Sequence, residues 1–256
     1  MVRMNQFAGK RAALVTGASQ GIGAAIALGL ARDGFDVVVS ATRAENLAGT
    51  VAALAPTGVR VVPVALNLRS LPSVEQAMAE VTRAFPHLDV LVNNAGVTLR
   101  KTALEVTPAE WETVIDTNVK GTFFLSQQMG RHLIGSGRAG CIINMASTHG
   151  VLGFAQRSTY GISKAAIMQM TRMLAIEWAE HGVRVNAVAP GTVETPSRAA
   201  FFAADPKARD MMLNRIPLHR FGTTEEVAEA VRYLVSPQAT YITGQTLLLD
   251  GGLTAY

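Results

Sequence analysis

Tyr160 and Lys164 stand four residues apart in Ser158-Thr159-Tyr160-Gly161-Ile162-Ser163-Lys164, so on a helix both side chains share one face, about one turn apart. A free phenol titrates near pH ~10, too high for useful proton transfer at neutral pH. A neighbouring ammonium favours the phenolate and draws that value down towards the working range. The pair is therefore a tuned acid/base wherever a cleft receives it. Tyr and Lys also fall four apart on helices that do no chemistry, and the elements around the pair decide between the two.

Those elements alternate. Residues 12–15 read as a buried strand, and 22–32 as a helix with Ile22, Ile26 and Leu30 at helical spacing. Residues 37–39 and 59–66 are β-branched runs with an Ala-rich helix over 44–54 between them, and 90–92 and 141–145 are further strands. Thr107-Pro108-Ala109-Glu110 has the form of a capping box with Pro at the first helical position, which predicts a long helix from there. The helix of Tyr160 is predicted to run to about residue 181, where Gly182 ends it. Strands over 183–188 and 246–249 follow, separated by a helix from Thr223-Thr224-Glu225-Glu226 to residue 234. Such alternation implies an α/β fold, a doubly wound parallel sheet with helices on both faces. No internal repeat, linker or low-complexity tract interrupts it. Residues 195–217, polar and Ala-rich, form the weakest stretch and are expected to act as a mobile lid over a substrate.

Thr16-Gly17-Ala18-Ser19-Gln20-Gly21-Ile22-Gly23 joins the first strand to the first helix, where an open α/β sheet binds phosphate. Its glycines let the backbone turn tightly and approach a pyrophosphate, whose charge the helix N-terminus favours. The spacing is G-x-x-x-G-x-G rather than the commoner G-x-G-x-x-G, and taken alone it also suits a plain tight turn.

Composition excludes several classes. A length of 256 residues suits one large domain over 1–256, and 49% hydrophobic against 16% charged residues excludes disorder. The single cysteine, Cys141, rules out an internal disulfide and a cysteine-based metal cluster; it reads as a small core residue, and no metal site is expected. Residues 1–10 are short, polar and without an apolar h-region, so no signal peptide is expected. No apolar stretch approaches the roughly 20 residues that span a bilayer, which makes a cytoplasmic protein with no membrane partner the expectation. A net charge of +4 suits an anionic ligand such as a dinucleotide. Scattered Lys and Arg, with aromatics mostly in apolar runs, set nucleic acid aside.

Taken together, these residues resemble the short-chain dehydrogenase/reductase family, from about residue 10 to 253. Thr16 to Gly23 matches its T-G-x-x-x-G-x-G cofactor loop, and Asn93-Asn94-Ala95-Gly96 its N-N-A-G after the fourth strand. Asn118 in Asn118-Val119-Lys120-Gly121 matches the family's catalytic asparagine, and Ser147 precedes Tyr160 by the usual thirteen residues. Pro190-Gly191 with Thr195 matches the loop that holds the nicotinamide carboxamide, and Asp250-Gly251-Gly252 the C-terminal D-G-G. The resemblance implies a single-domain Rossmann-type fold and hydride transfer between nicotinamide and a carbonyl or secondary alcohol. It implies Asn118, Ser147, Tyr160 and Lys164 as the catalytic set. Tyr160 would exchange the proton and Ser147 would donate to the substrate oxygen as charge develops. Lys164 would lower the Tyr pKa and bind the nicotinamide ribose, while Asn118 would hold a relay water. The implied cofactor-binding residues are Gly17, Ser19, Gln20, Gly21, Ile22 and Gly23 in the loop, and Thr42 and Arg43 after the second strand. Asn67 and Leu68, then Asn94, Ala95 and Gly96, line the adenosine side. Tyr160, Lys164, Pro190, Gly191, Val193 and Thr195 serve the nicotinamide side. Family members are usually homotetramers or dimers, so a homo-oligomer is implied.

Some positions depart from the family's commonest forms. Asn67 stands where many members carry an Asp against adenine, and its amide oxygen can still accept. Gln20 stands where NADP-preferring members often carry Arg. Cofactor choice turns on Ser40-Ala41-Thr42-Arg43, where NAD users commonly place an Asp; here no acid is present and Asp36 is at the strand's start. Arg43, with the hydroxyls of Ser40 and Thr42, suits a 2′-phosphate, so NADP is favoured, with NAD still open if Arg43 merely begins the next helix. The substrate pocket is expected near Thr98, 149–157 and 192–213. His149 and Arg157 point to a polar or acidic substrate, and Val151, Leu152, Phe154, Phe201 and Phe202 to an apolar one, with His149 read as a plain loop residue. The 3-oxoacyl-carrier-protein reductases are similar in length and loop spacing, yet of their partner-binding Arg pair only Arg138 is matched; the other position is His181. Sugar, polyol and ketone reduction stay open, as does a reading of another class, a dinucleotide-sensing binding protein without turnover.

Overall fold

Alternate residues of each central strand belong to opposite apolar layers, and this two-residue period builds the molecule. A computed structural model describes residues 11–255; the leader reading of residues 1–10 lies outside them. The strands are β1 (Ala12–Thr16), β2 (Asp36–Ala41), β3 (Val61–Ala65), β4 (Leu88–Asn93), β5 (Gly140–Met145), β6 (Val183–Pro190) and β7 (Thr246–Leu249). The helices are α1 (Gly21–Arg32), α2 (Ala48–Leu54), α3 (Leu71–Ala84), α4 (Pro108–Ile115), α5 (Thr122–Gly135), α6 (Ser158–Trp178), α7 (Pro196–Ala204), α8 (Pro206–Leu213) and α9 (Thr224–Val235). Every strand pairing is parallel, in the order β3-β2-β1-β4-β5-β6-β7. Ala12 and Leu14 face the layer covered by α3, α5 and α6, while Ala13 and Val15 face the one covered by α1, α2 and α9. The expected doubly wound sheet is the observed one. Its strand order reverses between β1 and β4, opening a crevice at the carboxyl ends of the strands. Among the described residues, no helix is long and apolar enough to cross a membrane.

Most boundaries match the sequence pattern: α6 gives way to a 3₁₀ turn at Ala179–His181, and Gly182 at φ +75° stops it. Three differ for physical reasons. The long helix expected from Thr107 opens on the expected capping box, but after α4 it widens into a π-helical turn over Asp116–Gly121 before α5. There the Asn118 side chain leaves the helix to bond the Val97 backbone, a distortion typical of π-turns at functional positions. No helix was expected over 71–84, although Ser70 caps it and Val74, Ala77, Met78 and Val81 form its buried face. The weak stretch 195–217 folds into α7 and α8, each with Pro in its first turn and a side-chain cap, Thr195 and Asp205. Phe202 of α7 packs with Ile216 and Phe221 in a small core of its own.

Gly121 permits the π-turn to lie against the loop after β3: a Cβ there would sit 2.4 Å from the Leu68 carbonyl oxygen and 2.6 Å from its Cβ. Gly121→Ala is expected to cost about 1–3 kcal/mol, the usual range for overpacking, and so lower Tm by roughly 2–4 °C per kcal/mol. Gly49→Ala in α2, whose Cβ would meet nothing within 4 Å, is expected to be neutral or stabilising by up to ~1 kcal/mol. Thermal denaturation of the two variants checks the pair.

Candidate active site

The loop after β1 is clamped to the loop after β4. The Asn94 amide donates to the carbonyls of Thr16 (2.9 Å) and Gly17 (3.0 Å). The Thr16 hydroxyl accepts from the backbone N–H of Asn94 and of Ala95, both at 3.0 Å. Gly17 sits at φ +63°, and a Cβ on Gly23 would lie 2.4 Å from the Gly17 carbonyl oxygen, so backbone packs directly on backbone. Gln20 is extended at the start of α1 and makes no side-chain cap, and no acid occupies the first turn. The N–H groups of Gly21, Ile22 and Gly23 thus remain for an anion, beside Ser19, which fits a pyrophosphate.

The adenosine side is more open. Thr42 and Arg43 are exposed beyond β2, and Arg43 makes no ion pair among the described residues. Asp36 lies at the opposite end of β2, buried, accepting from the Arg60 N–H at 2.9 Å. Asn67 is exposed, and its amide oxygen already accepts from the Arg69 N–H at 3.1 Å, leaving one lone pair for a ligand. The Leu68 side chain belongs to the core, 5% exposed, which leaves its backbone as the part that can face a ligand.

A cleft of about 470 Å³ runs from Ile22 past Asn94 and Gly96 to Ser147, Tyr160, Lys164 and Pro190. Tyr160 projects from the first turn of α6. One turn on, Lys164 is buried, its Nζ donating to the Met145 carbonyl at 2.7 Å and lying 5.6 Å from the centre of the Tyr160 ring. Burial brings the ammonium down to about 8. Burial also pushes the Tyr160 phenol above its ordinary range, against a Ser147 hydrogen bond and the positive fields of Arg157 and Arg198. The expected lowering by Lys164 is thus not what this structure displays; the opposing groups are Ser147 and two arginines.

Ser147, just beyond β5, also opens the 3₁₀ turn Thr148–Gly150: its Oγ accepts from the His149 N–H at 3.3 Å and lies 3.3 Å from His149 Nδ1. His149 is no plain loop residue. Its ring lies 5.6 Å from that of Tyr160 and 5.5 Å from that of Phe154, and burial, then Arg157, lowers its pKa to about 4, so it is neutral at pH 7. Asn118 is buried; its Oδ1 accepts from the Val97 N–H (2.8 Å), and its Nδ2 donates to the Val97 carbonyl (2.9 Å) and to Ser163 Oγ (3.0 Å). Ser163 donates in turn to the Tyr160 carbonyl at 2.7 Å. Both amide hydrogens of Asn118 are engaged with protein, which leaves a relay water only its oxygen or backbone. Gly191, Val193 and Thr195 follow β6 along the same cleft. Val151 is exposed and Phe202 sits in the core, whereas Leu152, Phe154 and Phe201 do line the pockets. Arg100 and Arg198, which sequence reading did not single out, line a cavity beside the cleft together with Arg157. Arg138 is held by the buried Asp89 carboxylate at 2.5 Å.

A family model described as enoyl-(acyl carrier protein) reductase matches residues 17–254. A 3-oxoacyl-[acyl-carrier-protein] reductase of Thermotoga maritima is 38% identical over 240 residues, 94% of this chain and 96% of that protein. The 2-dehydro-3-deoxy-D-gluconate 5-dehydrogenase of Escherichia coli is 35% identical over 246 residues, 96% of each. A solved structure provisionally named a 2-deoxy-D-gluconate 3-dehydrogenase, from Agrobacterium tumefaciens with bound NADP, superposes at TM-score 0.90 and 37% identity, covering 98% of this chain and 100% of that one. With the parallel sheet, the glycine cradle and the Tyr160–Lys164 cleft behind these likenesses, the chain belongs to the short-chain dehydrogenase/reductase family of NAD(P)-dependent oxidoreductases acting on CH–OH and C=O groups.

Proposed function

We propose that Tyr160 is the acid/base of this oxidoreductase, protonating a carbonyl oxygen in reduction and deprotonating a secondary alcohol in oxidation. The observation that carries this reading is a phenol sharing its cleft with a hydrogen-bonding Ser147 and a buried ammonium. A nicotinamide dinucleotide, when bound, supplies or accepts the hydride. Ser147 donates to the substrate oxygen as its charge develops. Lys164 holds the ribose and, while charged, favours the phenolate. Asn118 fixes the first turn of α6 through Ser163, which orients the phenol. Residues 1–256 act as one domain, with 195–217 as a lid. The exposed Ile162, Met173 and Ile176 of α6 suit burial against a second copy, in a homo-oligomer. A non-catalytic dinucleotide sensor is disfavoured because the acid/base pair is intact. Docking of an acyl carrier on Arg138 is disfavoured by its ion pair with Asp89.

The dinucleotide is NADP(H), because β2 ends without an acid and Arg43 is exposed there without a counter-ion among the described residues. A guanidinium on the 2′-phosphate adds a charge-assisted hydrogen bond that solvent screening leaves worth about 1.4 kcal/mol, a tenfold preference over NAD(H). Arg43→Ala is expected to erase most of that preference with little change in NAD(H) affinity. Calorimetric titration of both cofactors decides it, and a preference surviving in the variant leaves Arg43 a solvated turn residue.

Tyr160→Phe is expected to cut turnover by roughly 100- to 10,000-fold, the range of general acid/base catalysis, with dinucleotide binding intact. Retention of more than about a tenth of turnover, less than ~1.4 kcal/mol of barrier, sinks the assignment. Lys164→Met tests the tuning through pH. Oxidation needs the phenolate, and loss of a nearby positive charge raises the phenol's pKa. The activity limb of alcohol oxidation is therefore expected to move to higher pH in the variant; a rate profile with an unmoved limb means that Lys164 does not tune Tyr160.

A further inference from the structure

A second cavity of about 190 Å³ adjoins the cleft, lined by Ser147, His149 and Tyr160 together with Arg100, Arg157 and Arg198. The three arginines arrive from separate places: the loop after β4, the residue before α6 and the first turn of α7. Arg157 donates to the Thr98 hydroxyl (2.6 Å) and the Leu99 carbonyl (3.3 Å), and Arg100 to the Gln156 amide oxygen (3.0 Å). The Arg100 and Arg198 guanidiniums lie 5.4 and 5.8 Å from the centre of one ring, that of Phe201. All of these partners are neutral, and the ion pairs among the described residues engage other cations. Burial lowers both Arg157 and Arg198, helped by repulsion from Arg198 and Arg100 at Arg157 and from Arg100 at Arg198, while Tyr160 acts in the opposite sense on each; no carboxylate is among the groups acting on them. Half-buried charge is ordinarily paired, and a guanidinium fork matches carboxylate and phosphate oxygens two at a time.

We infer that this cavity receives the anionic end of a small oxo or hydroxy acid whose reacting carbon lies at Tyr160 and Ser147. The inference rests on Tyr160 being the acid/base. Size supports it: the cavity falls below the roughly 300–1,000 Å³ of pockets that take drug-sized ligands. Phe154, Phe201, Met211 and Met212 line the same cavity beside the arginines and suit the carbon skeleton that carries the anionic group. His149, neutral at pH 7, adds hydrogen bonding and no charge. Carboxylate and phosphate share the chemistry that the arginines recognise, and the substrates below separate them.

The test measures kcat/KM with NADPH for matched pairs: 5-oxogluconate and its amide, acetoacetate and its methyl ester. Fructose 6-phosphate and an acetoacetyl thioester complete the set. The acid of a pair is expected to exceed its neutral partner by roughly ten- to a hundredfold, the worth of one or two charge-assisted bonds, and the advantage should shrink with added salt. The ranking of carboxylates against the sugar phosphate identifies the anion. Arg198→Gln, whose guanidinium makes no hydrogen bond to protein among the described residues, is expected to lose most of that advantage, chiefly through KM, and Arg198→Lys to keep part of it. Melting temperatures of the variants check that they fold. A neutral ester, amide or thioester preferred over the acids, no anion turned over at all, or an acid preference unchanged in Arg198→Gln, overturns the inference while leaving Tyr160 in place. Turnover that survives Tyr160→Phe overturns the reading beneath it instead.

Discussion

Lys164 is only 6% exposed, and its ammonium rests on a backbone carbonyl, that of Met145, rather than on a carboxylate. Desolvating a cation in that way disfavours its charged form, which is why it titrates near 8. The arrangement holds only if the end of β5 and the first two turns of α6 cannot move apart. Beneath it, Asn93 donates to Asn144 (2.8 Å) and to Ser126 (2.9 Å), and Asn144 donates to Thr171 (2.9 Å). That buried chain ties β4 and β5 to α5 and α6, and hydrogen bonds in a low-dielectric interior reinforce one another. The sheet, the π-turn and the polar ladder all serve to hold one amine in place.

Tyr160 inherits a conflict from the same burial. Removal from water raises the phenol, while Ser147, Arg157 and Arg198 pull it back. Two of those three opposing groups belong to the substrate half of the cleft. An anion settling among the arginines cancels part of their field, which raises the phenol further, keeping it protonated over a wider pH range while making it a weaker acid. A charged lysine below pH 8 acts in the opposite sense. The proton affinity of the phenol is therefore a property of the filled site, set jointly by the dinucleotide side and the substrate side.

Much of this was legible in the chain because it rests on local pattern. The strand–helix alternation, the glycine loop, the capping box at Thr107 and the stop at Gly182 are each decided by a few adjacent residues. The π-turn was not legible, since it arises from Asn118 reaching Val97 and Gly121 meeting Leu68, contacts between distant segments. The direction of the Tyr160 shift was missed for a related reason: one neighbouring charge can be read from spacing, but burial cannot. Arg100 and Arg198 looked like scattered surface cations until the fold brought them to Arg157. The helix over 71–84 and the caps of α7 and α8 are different, because Ser70, Thr195 and Asp205, each followed within two residues by Pro, were available signals.

The thirteen-residue interval between Ser147 and Tyr160 is a spacing in sequence, but close backbone contact realises it. A Cβ on Gly150 would lie 2.8 Å from the carbonyl carbon of Lys164, and one on Gly161 would lie 2.9 Å from the His149 carbonyl oxygen. The turn that carries Ser147 and the helix that carries Tyr160 thus touch main chain to main chain, through a glycine on each side. That contact fixes hydroxyl against phenol with no side chain to flex between them. The stretch from 151 to 157 is released from the task, and it carries Phe154 and Arg157 into the substrate cavity. Chemistry is held by backbone at the two ends of one loop, and recognition is carried by side chains in its middle, so the identity of the substrate can change there without moving the proton.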